Sequence, residues 1–274
     1  MSGTLYIVGT PIGNLSDMSP RALETLRQVD LIACEDTRVS RKLLTHFEIK
    51  KPLVSYHAHN EKRMGKEILQ KLLGGQNIAL ISDAGMPCVS DPGEALVARC
   101  AENGVEMQVI PGASAFVAAL ALSGLPSGRF VFEGFLPVAT KERRLRLEEL
   151  KEESRTMIFY EAPHKLKKTL SDVQEAFGDR NLSISRELTK RFEETLRLTL
   201  TEAIAHFAEN EPRGEFVLVL EGAPERERSA ADVASALLRL QEKIDAGVPR
   251  KEAIKEIATE TGIAKNLLYS ESLK

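Results

Sequence analysis

The sequence has no tryptophan and only three cysteines in 274 residues. Cys34, Cys88 and Cys100 lie far apart, form no CxxC pair and are odd in number. That excludes a disulfide framework from the expectations and points to a reducing, cytoplasmic compartment. Long hydrophobic runs are also missing. The longest, Ala115–Leu122, spans eight residues, whereas a membrane helix needs about 20, so no membrane association is expected. The first residues lack a basic segment and a small-residue cleavage site, so no secretion signal is expected. Nor is there an excess of positive charge. Lys+Arg number 37 against 40 Asp+Glu, a net charge of −3, which argues against a broadly basic polyanion binder.

What is present suits folded domains. Hydrophobic residues make up 43% of the chain, enough to exclude a wholly disordered polymer. The length suits two domains at about 150 residues each. Charge is unevenly spread: residues 137–191 carry 13 basic against 10 acidic side chains, and residues 192–224 carry 2 against 7. A polyanion site would therefore be local and is expected on the middle segment.

Short β-rich runs alternate with helical patterns along the first 110 residues. Leu5–Val8, Leu31–Cys34, Leu53–Ser55, Ile78–Ile81 and Glu106–Ile110 read as strands. Between them, Ser19-Pro20 predicts an N-cap followed by proline at the first helical position. Asp91-Pro92 is likewise read as the cap of a helix running through Cys100. This alternation predicts an α/β domain with a mainly parallel sheet. Strands read at 130–133, 157–160, 182–185, 195–199 and 216–220, with helices at 141–152, 164–177 and 201–209, predict a second α/β unit. Its later strands are closely spaced, so its sheet is expected to be mixed. A polar break at 223–229 precedes three short helical stretches within 230–274, separated by Gly247 and Gly262. They suit a helix-turn-helix-like bundle or a small cap or dimerisation element. The resulting domains are 1–112, 113–222 and a helical extension at 230–274.

Five loops follow predicted strands: Gly9–Asn14, Ser82–Gly93, Pro111–Ala115, Phe159–His164 and Ser185–Lys190. Open α/β sheets bind ligands at the carboxyl ends of their strands, and small residues let a ligand approach the main chain. The first loop is not GxGxxG and no Walker lysine follows it. The second holds two Asp, two Pro and two Gly in twelve residues, more than one turn requires. His57-Ala-His59 has no zinc-spaced companions, so no metal site is expected.

In their order, these motifs resemble the tetrapyrrole methylase superfamily, methyltransferases of class III with two α/β domains. The string Ser82-Asp-Ala-Gly-Met-Pro-Cys-Val-Ser-Asp-Pro-Gly93 carries most of the resemblance, with Pro11–Leu15, Glu35–Arg38, His59–Glu61 and Arg186–Lys190. These resemble the branch that methylates a cytidine ribose 2′-hydroxyl in 16S rRNA of the small ribosomal subunit. The resemblance spans residues 4–222. It implies S-adenosylmethionine as cofactor, touching Ile12, Ala84, Gly85, Met86, Val89, Ser114, Ala115, Glu161, Leu188 and Thr189, and it implies a homodimer. Relatives acting on tetrapyrroles have Asp where Met86 stands. A bulky residue at Gly85 is expected to block the cofactor, and the helical extension is expected to assist RNA engagement.

A neutral ribose hydroxyl is a poor nucleophile, so a base would help. Asp83, Glu161, Glu187 and Lys190 are the candidates. Glu161 would need a raised pKa and Lys190 a lowered one. Glu35–Arg38 reads equally as a substrate-facing loop and as an Asp36 helix cap with a surface ion pair. The cluster Arg143, Arg144 and Arg146 reads either as a solvated helix face or as an RNA-facing helix surface, and the second is put forward for test. The rival readings are a methyltransferase acting on a small tetrapyrrole and a non-enzymatic RNA-binding factor.

Overall fold

The computed structural model describes residues 2–224 and 230–273, so most of the polar break at 223–229 lies outside the described residues. The chain divides into two compact units, Met1–Ala223 and Pro224–Lys274.

The first unit opens with β1 (Thr4–Val8), α1 (Pro20–Gln28), β2 (Leu31–Cys34), α2 (Thr37–His46), β3 (Leu53–Ser55), α3 (Glu61–Leu73), β4 (Ile78–Ile81), α4 (Glu94–Glu102) and β5 (Glu106–Ile110). The five strands form one parallel sheet in the order β3-β2-β4-β1-β5. Helices cover both faces, and so β4 is buried along its entire length, as parallel sheets demand. Leu5, Ile68, Leu72, Leu80 and Leu96 fill one side; Leu26, Ile32, Leu44 and Ile81 fill the other. The Ser19 hydroxyl accepts the Ala22 amide at 3.1 Å, capping α1. Asp36 caps α2 and pairs with Arg38.

Asp91 does not cap a helix. α4 starts at Glu94 with Gly93 in the cap position, at φ +144°. Cys88, Ser90 and Gly93 all take positive φ, so the loop winds on past Pro92 before the helix begins.

α5 (Ala115–Ser123) leads to β6 (Phe130–Phe135), α6 (Thr140–Leu150), β7 (Thr156–Glu161), α7 (Pro163–Phe177), β8 (Asn181–Arg186), β9 (Glu194–Thr199), α8 (Leu200–Glu209) and β10 (Phe216–Leu220). The second sheet runs β6-β7-β10-β8-β9. Only β6 and β7 are parallel; β10 is antiparallel to both β7 and β8, and β8 to β9. The expected mixed sheet is therefore observed.

The second unit holds α9 (Ala230–Asp245), α10 (Arg250–Thr261) and α11 (Lys265–Glu271), each touching the other two. Ala236, Leu240, Ile254, Ile257 and Leu268 form its own core. Gly262 ends α10 in the left-handed region, the usual C-terminal stop.

The expectation that Arg143 faces RNA is overturned. Arg143 is 6% exposed. Its Nε donates to Asp172 Oδ2 on α7 at 2.7 Å and its Nη1 to the Val138 carbonyl at 3.1 Å. Arg146 pairs with Glu133 and Glu149, and Arg144 reaches Glu175. Arg143 fastens α6 to α7 through a buried pair, and Arg146 ties it to β6, while Arg144 stays mostly exposed. Removing one partner of a buried pair costs about 3–5 kcal/mol. Arg143→Ala is therefore expected to lower stability by about that amount, while Arg144→Ala changes it by less than about 0.5 kcal/mol. Urea midpoints of the two variants check this; equal midpoints would contradict it.

Candidate active site

Parallel strands bring their carboxyl ends to one edge. Because β4, β1 and β5 are neighbours, the loops after them lie side by side although they are tens of residues apart in sequence. Thr10 and Gly85 exchange backbone hydrogen bonds at 2.9 and 3.1 Å. The Thr10 hydroxyl lies 3.3 Å from the carbonyls of Ser82 and Gly85. A Cβ on Gly9 would fall 2.7 Å from Gly112 Cα, and one on Gly112 would fall 2.8 Å from Gly9 Cα. Main chain packs on main chain here, which only glycine permits.

The second sheet supplies the facing loops. Glu161 ends β7, Arg186 ends β8, and both register with Phe216 at the start of antiparallel β10. The loops meet across the two sheets: the Asn14 amide donates to Thr189 Oγ1 at 3.1 Å, and a Cβ on Gly13 would lie 2.4 Å from Lys190 Cγ.

Between these loops is a cavity of about 530 Å³, within the usual range for small-molecule sites. Ile12, Ala84, Gly85, Met86, Val89, Ser114, Ala115, Glu161 and Leu188 line it, as do Asp83, Glu187 and Lys190. Thr189 is not in the lining; its side chain is engaged with Asn14, and its amide donates to Glu193 Oε2. Met86 lies over Gly9, its Sδ 2.6 Å from where a Cβ would stand.

Asp91, Tyr160 and His164 also line the cavity, within loops the sequence singled out but without a role assigned to them, whereas Phe135, Glu215, Phe216 and Val217 were missed. Asp91 was masked by the helix-cap reading. Glu215–Val217 sit where an antiparallel strand begins, so a search of strand carboxyl ends passes over them.

Backbone strain gathers at the same place. Among the described residues, five non-glycine residues have positive φ, and four of them (Cys88, Ser90, Glu187 and Thr189) belong to the two facing loops. Such conformations cost about 1–3 kcal/mol each, persist only where the surrounding structure holds them, and cluster at active sites and ligand clamps.

The carboxylates are unequal. Both Glu161 oxygens are engaged: Oε1 accepts the Ala162 amide at 2.8 Å and Oε2 the Thr169 hydroxyl at 2.5 Å. The Lys190 ammonium lies 3.0 Å from Glu187 Oε1 and 2.9 Å from Glu215 Oε2. Burial pulls its pKa down, but the two carboxylates outweigh that and hold it above the ordinary lysine value. Lys190 therefore does not meet the requirement for a base. Burial pushes Glu187 up, yet the Lys190 ammonium and the Glu215 amide bring it below its ordinary value.

Asp83 and Asp91 go the other way. Burial lifts Asp83, helped by the charge of Asp36, against the Asp36 amide it accepts at 3.1 Å. Asp91 is lifted to about 6, first by burial and then by Glu35, with the Ser82 hydroxyl pulling it partly back. Glu35 is raised by burial and by Asp83. Among the described residues, no group of three His, Cys, Asp or Glu has the geometry to hold a metal ion; His57 and His59 stack edge-on at 5.9 Å between ring centroids.

Comparison with known proteins agrees with this architecture. The family model for Tetrapyrrole (Corrin/Porphyrin) Methylases matches residues 4–204. The chain belongs to the tetrapyrrole methylase family. The "Ribosomal RNA small subunit methyltransferase I" of Synechocystis sp. is 50% identical over 273 residues, 99% of this chain and 98% of that protein. The protein of the same name from Thermotoga maritima is 50% identical over 220 residues, 80% of this chain and 99% of its own length. It is thus shorter by about the size of the helical unit. The crystal structure of uroporphyrin-III-C-methyltransferase from Thermus thermophilus superposes with a TM-score of 0.57 at 18% identity, covering 79% of this chain and 94% of that one. The fold is thus that of the class III methyltransferases. Within this tetrapyrrole methylase, the strained Ser82–Gly93 loop forms the acidic wall of the cavity, and Glu187, Leu188 and Lys190 a second wall.

The raised Asp91 makes a prediction with a definite sign. A carboxyl whose folded pKa exceeds its unfolded value stabilises the fold only while protonated. That benefit is complete below the unfolded value of 3.8 and is lost as pH rises through about 6. Asp91→Asn should therefore stabilise the chain at pH 8 by about 1 kcal/mol, allowing for screening by residual solvent contact. The gain should vanish near pH 4. Urea midpoints at the two pH values check this; a destabilised variant at pH 8 would contradict it.

Proposed function

We propose that this chain transfers the methyl group of S-adenosylmethionine to the ribose 2′-hydroxyl of a cytidine in 16S rRNA of the small ribosomal subunit. The observation that carries the reading is 50% identity over practically the full length to a protein named for small-subunit rRNA methylation. The cavity fits the cofactor. Its floor is bare main chain at Ala84 and Gly85, with only 3.3 Å between a Gly85 Cβ position and Ile12 Cγ2. Met86, Val89, Leu188 and Val217 offer apolar walls, and Ser114 and Ala115 open α5, whose first amides lack helical partners. In this reading Ile12, Ala84, Gly85, Met86, Val89, Ser114, Ala115 and Leu188 hold the cofactor directly. Glu161 and Thr189 act by fixing loops.

The bound cofactor supplies a methyl group already activated on a sulfonium. The chain's task is then to place the ribose oxygen in line and to receive its proton. Asp83 and Asp91 are the residues for that second task. An ordinary carboxylate is too weak a base near neutral pH; burial moves Asp91 toward the working range, where a positioned base contributes about 10²–10⁴ in rate. Lys190, clamped by Glu187 and Glu215, carries a positive charge on the far wall. The same reading places the reaction in the cytoplasm, assigns residues 1–112 and 113–222 as the two methylase domains, and takes the working form as a homodimer.

Radiolabelled S-adenosylmethionine incubated with the chain and small ribosomal subunits should label 16S rRNA at a ribose 2′-oxygen, while a porphyrinogen substrate stays unlabelled. Label on the porphyrinogen would overturn the reading. A chain ending at Ala223 should bind S-adenosylmethionine within about twofold of the full chain, because every residue assigned to the cofactor lies in the first unit. Titration calorimetry checks this; loss of binding by a folded truncation would contradict it.

A further inference from the structure

With Arg143 buried, α6 loses the centre of its basic cluster, and another helix offers an exposed basic face. α2 reads Thr-Arg-Val-Ser-Arg-Lys-Leu-Leu-Thr-His and contains no acidic residue. Ser40 and Leu44 face inward. Arg38, Arg41, Lys42, Thr45 and His46 are all exposed. Their spacing, i, i+3, i+4, i+7 and i+8, places them on one face. With Thr37 they line an open groove.

The cations of this face differ from four basic residues of the second sheet, its helices and its loops. Arg143, Arg146, Arg186 and Lys190 are each committed to carboxylates. On α2, Arg38 pairs with its own cap residue Asp36, while Arg41 and Lys42 make no ion pair with any described residue.

The position of the face matters as much as its charge. Its N-terminal end abuts the cavity, because the Asp36 amide donates to Asp83 Oδ1 at 3.1 Å and Asp83 lines the cavity. From Arg38 to His46 the helix rises about 12 Å. A polyanion following this face would reach the acidic wall where the reading above places proton acceptance.

We infer that the exposed face of α2, through Arg41 and Lys42, is the track on which the RNA backbone docks to deliver its ribose to the cavity. The inference rests on the rRNA methyltransferase reading. Phosphates suit the face better than a protein surface does: the side chains are cations and small hydroxyls, with Val39 the one exposed apolar residue among them. Hydroxyl and ammonium groups together meet phosphate oxygens without requiring any base sequence.

The test is salt-dependent binding of the full chain to small ribosomal subunits and to naked 16S rRNA, with methyl transfer measured in parallel. Arg41→Glu/Lys42→Glu should weaken binding and raise KM at least tenfold at low salt. It should leave kcat and S-adenosylmethionine affinity within about twofold. Two lost phosphate contacts should lower the slope of log affinity against log salt by about 1.4–1.8. The charge-preserving Arg41→Lys/Lys42→Arg variant should behave as wild type. An unchanged binding slope in the Glu variant would overturn the inference, including the case of weaker binding at constant slope, which marks a protein contact. Wild-type chain that binds subunits through this face but transfers no methyl group would overturn the functional reading and leave the docking surface standing.

Discussion

The site depends on one close approach of main chain to main chain. Gly9 lies against Gly112, and Thr10 is bridged to Gly85 by two backbone hydrogen bonds. Together they tie the carboxyl ends of β4, β1 and β5 into one floor. Nothing larger than hydrogen fits between Gly9 and Gly112, so the contact sets the spacing of the loops above it. Gly85 has φ +86°, so any side chain there would strain the backbone as well as enter the cavity. The expected effect of a bulky residue at this position thus has two causes.

Above that floor the two walls are electrostatically distinct. On one side, burial raises Asp83 and Asp91, and the charges of Glu35 and Asp83 lift Asp91 further. On the other, Glu187 and Glu215 hold an ammonium. Like charges in a partly dry site are costly unless one stays protonated or takes up a proton during turnover. An acidic wall of raised basicity is therefore chemically suited to accept a proton, and a lysine held above its ordinary pKa is suited to remain a fixed cation. The strained φ values on both loops carry the same message: local stability has been given up to place these groups.

The alternation of strands and helices was readable because burial on both faces forces it. Ile78–Ile81 and Phe216–Leu220 are uninterrupted apolar runs for that reason. The loops after β1, β4, β5, β7 and β8 were readable as well, since glycine, proline and aspartate cluster where the chain must turn tightly. What escaped depends on distance in sequence. Arg143 looks like a solvated basic residue until Asp172, 29 positions away, is brought beneath it. Lys190 looks like a candidate base until Glu215 arrives from the next strand. Asp91 precedes a proline, as helix caps do, and only the left-handed residues Cys88 and Ser90 reveal that the loop continues. Local pattern reports the backbone; pairing of charges belongs to the fold.

The central claim is that the glycine-floored cavity holds S-adenosylmethionine. The most direct measurement is titration calorimetry of the cofactor into wild-type chain and Gly85→Ala, with folding of both verified by urea unfolding. One added methyl group at φ +86°, 3.3 Å from Ile12 and 3.4 Å from the Ala113 carbonyl, should weaken binding at least tenfold in a variant that still unfolds cooperatively. Equal affinity of the two folded proteins would show that the cofactor lies elsewhere.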